Sequence, residues 1–265
     1  MRGLKVVLLA GGYGTRGKPF TDYFPKAMIA IDGRPVLDHI VRYLIKFSQI
    51  SDLIIMCEFD SFGKQIINYF EGKEAILGKS ITFVEDKKYG TGGALIQIEK
   101  NVIQGKPFLV WFADNLCALD IDGMLQEYNK AYTNYHEEMI GMVAVRRQRH
   151  EEMGRVIIDD NNNALTDNLV REFIEKNKVR LEQPEALGIY LFNNRIFDYI
   201  RNKSDKGNSI FNLSYDILAG IPKSDGKLFS YDIGENIEWI DIESPPYADR
   251  NRDIIKKILL QMKQV

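Results

Sequence analysis

The sequence is poor in the side chains that build disulfide frameworks and zinc sites. Its 265 residues include two cysteines, Cys57 and Cys117, and three histidines, His39, His136 and His150. The cysteines lie far apart inside apolar runs and form no CxxC pair, so we expect buried thiols rather than a disulfide or a metal site. The histidines show no spacing typical of metal ligands or of catalysis, and we expect structural or surface roles for them.

Long apolar runs and an excess of one charge are also missing. No stretch approaches the ~18–20 apolar residues of a membrane-spanning helix, and the N-terminus leads directly into a short strand rather than a signal peptide. The 35 basic and 37 acidic residues leave a formal net charge of −2. Nucleic acid and membrane surfaces are therefore not expected as partners, and we expect a cytoplasmic protein.

Strand-like and helix-like patterns alternate over the first half of the chain, which predicts a parallel α/β sheet. The predicted strands are residues 5–10, 53–57, 80–84, 108–112, 140–145, 170–174 and 187–192. The predicted helices are residues 36–45, 62–70, 93–99, 121–135 and 210–218, followed by an amphipathic C-terminal helix. A hairpin with an asparagine-rich turn is predicted between 156–159 and 164–165. Since no internal repeat or low-complexity linker interrupts the chain, we predict a single domain over residues 1–265.

The first glycine loop, GGYGTRG at residues 11–17, follows the first strand directly. Its glycines allow positive φ angles and a close approach of the backbone to a ligand, and successive backbone N–H groups there can bind phosphate oxygens. Arg16 adds a planar set of donors that suits a phosphate, and Lys26 supplies a second cation on a segment stiffened by Pro19 and Pro25. The loop therefore predicts a binding site for phosphate groups.

The glycine spacing G-x-G-x-x-G also matches the fingerprint of dinucleotide-binding folds, and Asp32 lies about 20 residues further on. Pro19 and Pro25 argue against this interpretation because they interrupt the helix that such a fold needs after the glycines. On the local residues alone, a glycine-rich turn with solvated Arg16 and Lys26 stays open as an alternative. The P-loop ending Gly-Lys-Ser/Thr is absent from the sequence.

Five motifs follow one another along the chain. They are LAGGYGTR with PFT and PK (9–26), VED with YGTGGAL (84–95), FADN (112–115), V-x-x-F-x-EK with GIYLF (170–192), and WIDI with SP and a tyrosine (239–247). In this order they resemble the signatures of the sugar-1-phosphate nucleotidyltransferases, also called nucleoside-diphosphate-sugar pyrophosphorylases. The resemblance covers nearly the whole chain, and its first double motif is highly specific.

The resemblance implies a Rossmann-like α/β fold of the nucleotide-diphospho-sugar transferase type, with a mixed, mostly parallel sheet flanked by helices. About residues 1–138 would form the nucleotide-binding half, and about 139–265 the sugar-binding lobe and closing helix. The C-terminal β-helix that is frequent in the family has no counterpart in these 265 residues.

The implied reaction transfers a nucleoside monophosphate from a nucleoside triphosphate to a sugar 1-phosphate with Mg²⁺ and releases pyrophosphate. The implied catalytic residues are Arg16, Lys26 and Asp114. The implied Mg²⁺ ligands are Asp114 and Asp241, two carboxylates that each follow a strand-like run. The implied nucleotide-binding residues are Ala10, Gly11, Gly12, Gly14, Thr15, Glu85, Gly90, Thr91 and Gly93. The implied sugar-phosphate-binding residues are Glu175, Lys176 and Gly188.

Each of these sets also has a plainer explanation when it is taken alone. Either aspartate by itself suits a turn or a helix cap. Glu175 and Lys176 suit a surface strand of alternating charge, and Gly90 and Gly93 suit a simple loop before a helix. The motifs together, rather than the single residues, favour the functional interpretation.

Four positions depart from the family pattern. Gly17 stands where a leucine is usual and Ala113 where a glycine is usual, which changes loop packing and leaves the charged groups intact. Asn177 replaces a proline and Glu243 replaces a glycine at the borders of the sugar and metal sites, so the substrates stay open. The run at 84–94 resembles guanylyltransferases acting on mannose or heptose phosphates more than thymidylyltransferases, and uridylyl transfer also stays open.

A non-catalytic relative that binds nucleotide sugars and regulates a partner is the main alternative function. Such a chain should lack a basic or metal-binding position, whereas the candidate positions are all present: Arg16, Lys26, Asp114, Lys176 and Asp241. An NAD(P) dehydrogenase has no support beyond the glycine spacing. Oligomeric state stays open, with a homo-oligomer as one of the outcomes.

Overall fold

The computed structural model describes residues 3–12, 14–102, 105–147, 155–158, 168–175, 183–204 and 210–264. The strands in chain order are β1 (Leu4–Leu9), β2 (Ala30–Ile31), β3 (Arg34–Pro35), β4 (Ile50–Cys57), β5 (Ser80–Glu85), β6 (Phe108–Phe112), β7 (Asn115–Cys117), β8 (Met139–Arg146), β9 (Arg155–Ile158), β10 (Leu169–Ile174), β11 (Glu185–Phe192), β12 (Lys227–Asp232) and β13 (Trp239–Asp241). The α-helices in chain order are α1 (Val36–Leu44), α2 (Lys64–Phe70), α3 (Glu74–Leu77), α4 (Gly90–Gln97), α5 (Ile121–Tyr135), α6 (Ile196–Ser204), α7 (Pro245–Arg250) and α8 (Arg252–Gln264). None of the helices in these described ranges is long and apolar enough to cross a membrane.

The chain forms two compact units that do not follow its linear order. The first unit comprises Met1–Lys88, Val110–Ala118 and Ile237–Val265. The second comprises Tyr89–Leu109 and Leu119–Asn236. The chain therefore leaves the first unit and returns to it twice, which brings residues from three distant stretches into one core.

The sheet of the first unit is parallel where β1, β4 and β5 pair. Val6 lies opposite Leu53, and Leu53 lies opposite Ile81, while β6 comes next to β1 in the strand order. The apolar runs of β1 and β4 are largely buried, as expected for parallel strands that are covered on both faces. Because the carboxyl ends of these strands share one edge, that edge is where an α/β sheet places its ligands.

The sheet of the second unit is mixed. Its strand order is β11-β8-β12-β10-β9. Strand β12 pairs with β8 in parallel, whereas β11 pairs with β8, and β10 pairs with β12 and β9, in antiparallel fashion. Every residue of β8 and β11 is buried, so these two strands form the centre of this unit's core.

Most of the predicted elements are confirmed. The predicted bounds of β6 and α5 agree with the structure, and β1, β4, β5, β8, β10 and β11 begin or end within a few residues of the prediction. Cys57 and Cys117 are both buried thiols, as predicted. The Rossmann-like α/β class, with a mixed sheet flanked by helices, is confirmed as well.

The helix predicted over residues 210–218 is confirmed only in part, because the helical turns there begin at Leu213 and are not α-helical. The chain instead forms a π-helical turn over Leu213–Ile217 and a 3₁₀ helix over Leu218–Lys223. The N–H of Phe211 donates to the carbonyl of Tyr89, so the start of the segment is tied to another part of its unit rather than to its own next turn. The asparagine-rich turn predicted at 161–163 lies outside the described residues.

Several short elements have no counterpart in the sequence prediction. Strands β7 and β12 and helices α3 and α6 are all of this kind, whereas β13 overlaps the strand-like run predicted over residues 237–240. Strands β7 and β13 have three residues each and pair with one another in an antiparallel ladder. A three-residue strand has too few positions for an alternating pattern, so its partner in space rather than its own sequence decides its conformation.

Candidate active site

The first glycine loop requires glycine at its positions for two different reasons. Gly12 and Gly14 adopt φ angles of 128° and 55°, in the region that L side chains rarely occupy. Gly11 instead lies against the carboxylate of Asp86, which a Cβ at position 11 would overlap. Ala10 is buried at the end of the first strand, and its N–H donates to the carbonyl of Met56 at 2.9 Å.

Glu58 binds the glycine loop from the neighbouring strand, and the sequence analysis did not identify it. Its carboxylate is 5% exposed and accepts a hydrogen bond from the N–H of Gly12. Burial raises the pKa of Glu58, and the charge of Lys88 at 3.7 Å opposes that rise. The amide of Gly12 is therefore engaged within the protein. The sequence signal that could have identified Glu58 is its position as an acid directly after the apolar run of β4.

The loop continues into a 3₁₀ turn that presents the first candidate cation. Thr15, Arg16 and Gly17 form this turn, and the hydroxyl of Thr21 donates to the carbonyl of Gly14 at 2.6 Å. Arg16 is half exposed, and its Nη1 donates to Oε1 of Glu243 at 2.9 Å. Two more 3₁₀ turns follow, so the long helix of a dinucleotide-binding fold does not form after these glycines.

Lys26 is the second candidate cation, and it joins the two candidate metal ligands. Its Nζ donates to Oδ2 of Asp114 at 2.7 Å and to Oδ1 of Asp241 at 2.8 Å. Although 127 positions separate these aspartates in sequence, their oxygens are no further apart than the sum of the two distances. All three groups lie in the first unit.

Pairing between β7 and β13 brings the two aspartates together. Asp241 is the last residue of β13 and lies opposite Asn115 in the antiparallel register. The ladder continues beyond the strands, because the N–H of Ile242 donates to the carbonyl of Asp114 at 2.9 Å. The backbone therefore holds both carboxylates at one end of the ladder.

Burial and like charge control the protonation of this cluster. Burial raises the pKa of Asp241, and the charge of Asp114 raises it further, while Lys26 opposes both effects. Burial alone would lower the pKa of Lys26, but the two carboxylates outweigh it and keep the ammonium charged. One cation thus faces two carboxylates and offsets their repulsion only in part, so a further cation would favour the ionised form of Asp241.

The donor set of the cluster fits a hard divalent cation that is shared with a substrate. Asp114 and Asp241 offer carboxylate oxygens, the ligands that Mg²⁺ prefers. Among the residues that the structure describes, no group of three or more His, Cys, Asp or Glu side chains could hold a metal. A cation at these two aspartates would therefore need phosphate oxygens and water to complete its coordination.

Asn115 supports the cluster, and the sequence analysis gave it no role of its own. It is 3% exposed and accepts hydrogen bonds from two indoles, from Trp239 at Oδ1 (3.0 Å) and from Trp111 at its carbonyl (2.8 Å). Its Nδ2 donates to Oδ1 of Asp114 at 2.9 Å. These bonds fix the orientation of the Asp114 carboxylate through a buried amide.

The second glycine-rich segment, residues 90–93, packs against another segment of its own unit. A Cβ at Gly90 would overlap the backbone of Phe211, and one at Gly92 would lie 2.6 Å from its ring. The N–H of Gly92 donates to the carbonyl of Phe211 at 3.1 Å, and the N–H of Leu213 donates to Oγ1 of Thr91 at 2.9 Å. In the structure, the absence of side chains at these glycines therefore allows Phe211 to pack closely against them.

The remaining predicted residues are distributed over both units. Glu85 is exposed at the end of β5 in the first unit, while Gly93 lies in α4 of the second. Glu175 is half-buried directly after β10, and Gly188 has a φ of 70° within β11, both in the second unit. Lys176 lies outside the described residues.

Comparison with known proteins gives a family match and distant relatives. A family model described as nucleotidyl transferase matches residues 5–245. Mannose-1-phosphate guanyltransferase from Saccharomyces cerevisiae is 27% identical over 245 residues, which cover 91% of this chain and 62% of the relative. The bifunctional protein GlmU from Methanococcus aeolicus is 27% identical over 261 residues, which cover 98% of this chain and 56% of the relative. The chain therefore spans less than two thirds of the length of these curated relatives.

Solved structures share the fold. HddC from Yersinia pseudotuberculosis complexed with GMP-PN has a TM-score of 0.68 at 22% identity, covering 95% of this chain and 99% of that chain. UDP-glucose pyrophosphorylase from Acinetobacter baumanii has a TM-score of 0.71 at 19% identity, covering 97% of this chain and 92% of that chain. At these identities the likeness concerns the architecture.

We expect Asn115→Ala to lower the free energy of unfolding by about 1–3 kcal/mol, because the buried indole N–H of Trp239 loses its acceptor. Trp239→Phe removes that donor as well, so the double variant should be less destabilised than the sum of the two single variants. Urea unfolding of the four proteins measures this coupling. Additive losses would show that the hydrogen bond contributes no coupling energy.

We expect Gly92→Ala to lower the melting temperature, although the same change inside a helix ordinarily stabilises a protein by roughly 1 kcal/mol. The reason is the overlap of the new methyl group with the Phe211 ring. Gly220→Ala is the matched control, since nothing lies within 4 Å of a Cβ there. Thermal unfolding compares the two variants, and an unchanged melting temperature for Gly92→Ala would contradict the packing described above.

Proposed function

The chain belongs to the nucleotidyl transferase family, and we propose that it transfers a nucleoside monophosphate from a nucleoside triphosphate to a sugar 1-phosphate. The observation that carries this proposal is the meeting of Asp114 and Asp241 at Lys26. Arg16 belongs to the same compact unit as this cluster. Two acids that would share a metal ion, together with the cationic side chains of Arg16 and Lys26, are the groups that phosphoryl transfer needs.

The proposed step forms one bond and breaks one bond at the α-phosphorus of the triphosphate. A phosphate oxygen of the sugar 1-phosphate attacks, and the bond to the bridging oxygen of the β-phosphate breaks in line, so that pyrophosphate leaves. The attacking oxygen is already an anion, so no general base is required. Catalysis then consists of positioning the reactants and neutralising their charge.

The cationic side chains have distinct roles in this proposal. Arg16 would bind the triphosphate through its planar donors, which match phosphate oxygens. Lys26 would offset the negative charge that gathers on the reacting phosphates. Asp114 and Asp241 would hold Mg²⁺, which supplies further charge neutralisation at the phosphates when it is bound.

The sugar 1-phosphate would be bound by Glu175, Lys176 and Gly188. Glu175 would accept hydrogen bonds from sugar hydroxyls, and Lys176 would bind the phosphate. We propose that the whole chain, residues 1–265, works as one nucleotidyltransferase domain in which the N-terminal half binds the nucleotide.

Guanine is the base that we propose for the nucleotide. Its Watson–Crick edge presents two adjacent N–H donors, and the Glu85 carboxylate has only acceptor oxygens. Uracil and thymine present one N–H between two carbonyl oxygens, which a carboxylate repels. The mannose-1-phosphate guanyltransferases among the relatives agree with this choice, and mannose- or heptose-type sugars are the proposed acceptors.

We expect Arg16→Ala and Asp114→Ala each to lower turnover by about 10²–10³-fold, because the first removes a cationic contact to the phosphates and the second a ligand of the Mg²⁺ that would neutralise them. Pyrophosphate release measures turnover. Asp249→Asn is the matched control, since it removes an exposed acid from an arginine pair of the same unit. Circular dichroism checks that each variant is folded. Near-normal turnover in a folded Arg16→Ala or Asp114→Ala protein would refute the role of that residue.

We expect a screen of nucleoside triphosphates against sugar 1-phosphates to give the highest kcat/KM with GTP. Glu85→Gln should reduce kcat/KM for GTP by about tenfold, because the amide no longer accepts from both donors of guanine. Pyrophosphate release with GTP, UTP and dTTP is the measurement. A preference for UTP or dTTP would overturn the guanylyl assignment and leave the reaction class standing.

A further inference from the structure

Glu243 is the partner of Arg16 in the structure. The two side chains meet at 2.9 Å and are 51% (Arg16) and 29% (Glu243) exposed. We propose that Glu243 competes with phosphate groups for Arg16, and so sets how tightly the protein holds the triphosphate and how readily it releases pyrophosphate. This inference rests on the proposed function.

Close packing between the two backbone segments supports the ion pair between the Arg16 and Glu243 side chains. A Cβ at Gly17 would lie 2.9 Å from the carbonyl oxygen of Glu243 and 2.5 Å from Cγ2 of Thr21. A larger residue at position 17 would therefore push the turn that carries Arg16 away from Glu243. Two of the four positions that depart from the family pattern, Gly17 and Glu243, thus meet in space.

The segment around Glu243 is anchored on both sides. The N–H of Ile242 donates to the carbonyl of Asp114 at 2.9 Å. The hydroxyl of Ser244 accepts from the N–H of Tyr247 and caps helix α7, in which Pro245 is the first residue. Glu243 lies between these two anchors, so its carboxylate meets Arg16 from a fixed stretch of backbone.

Both candidate cations are paired with acids in the structure. Lys26 contacts Asp114 and Asp241, and Arg16 contacts Glu243. An exposed ion pair is weak and is screened by salt, so a highly charged triphosphate can displace Glu243 from Arg16. The triphosphate therefore binds more weakly than it would to a guanidinium that has no acidic partner. The same competition favours the departure of pyrophosphate.

Glu243→Gln tests this competition because the amide keeps the size of the side chain and removes its charge. Pyrophosphate binding measured by titration calorimetry should become about two- to fivefold tighter, the range that an exposed ion pair supports. The KM for the triphosphate should fall by a similar factor. Both differences from the wild type should shrink at high salt.

The Arg16→Ala background separates a specific effect from a general change of charge. There, Glu243→Gln should leave pyrophosphate binding unchanged, since the group for which Glu243 competes is missing. The control Asp249→Asn, which removes an acid from the exposed pair with Arg252, should bind pyrophosphate like the wild type. A gain in affinity of equal size in the Arg16→Ala background would overturn the inference.

The outcomes also separate this inference from the proposed function. If Glu243→Gln binds pyrophosphate as the wild type does, or more weakly, the competition is refuted. A wild type that still turns over would then leave the proposed function intact. If the wild type neither binds pyrophosphate nor turns over any pair of substrates, the proposed function and this inference fail together.

Discussion

The contact of one half-buried ammonium with two carboxylates is the interaction on which the candidate site depends. Lys26 binds both Asp114 and Asp241. Removing two such acids from water is costly unless a cation lies between them, so this lysine makes their proximity tolerable in the folded chain. Under the proposed function, the same proximity would let the two carboxylates hold a divalent cation together with substrate phosphates.

The backbone that holds this cluster comes from three separate stretches of the first unit. Lys26 follows the glycine loop, Asp114 follows β6, and Asp241 ends β13. The β7–β13 ladder joins the last two, and the buried amide of Asn115 orients the Asp114 carboxylate. Precise placement of charged groups requires such support, because a free carboxylate on a mobile side chain could not define a coordination geometry.

Acids also hold the parts of the site that were expected to bind anions. Glu58 accepts from the amide of Gly12, and Glu243 accepts from Arg16. Under the proposed function, polyphosphate would bind by exchanging partners with these acids. Such exchange would lower affinity and permit the release of pyrophosphate.

Sequence periodicity determined the long elements, and the order of the sequence motifs pointed to the family. The buried runs of β1, β4 and β6 and the amphipathic pattern of α5 are local signals, because burial on both faces or on one face leaves a repeat that can be read directly. The motif residues Arg16, Lys26, Asp114 and Asp241 could be named as candidates because the motifs that contain them resemble those of the family.

Only the tertiary structure decided how these candidates meet. The run ending in β13 looked strand-like in the sequence, but nothing there indicated β7 or its pairing with β13, which joins positions that 127 residues separate. Gly90 was predicted to allow a ligand to approach, and the structure shows that it also allows the backbone of Phe211 to approach. Whether a glycine, a lone acid or a short strand serves a ligand or a neighbouring segment depends on contacts between distant residues, and a linear pattern does not contain those contacts.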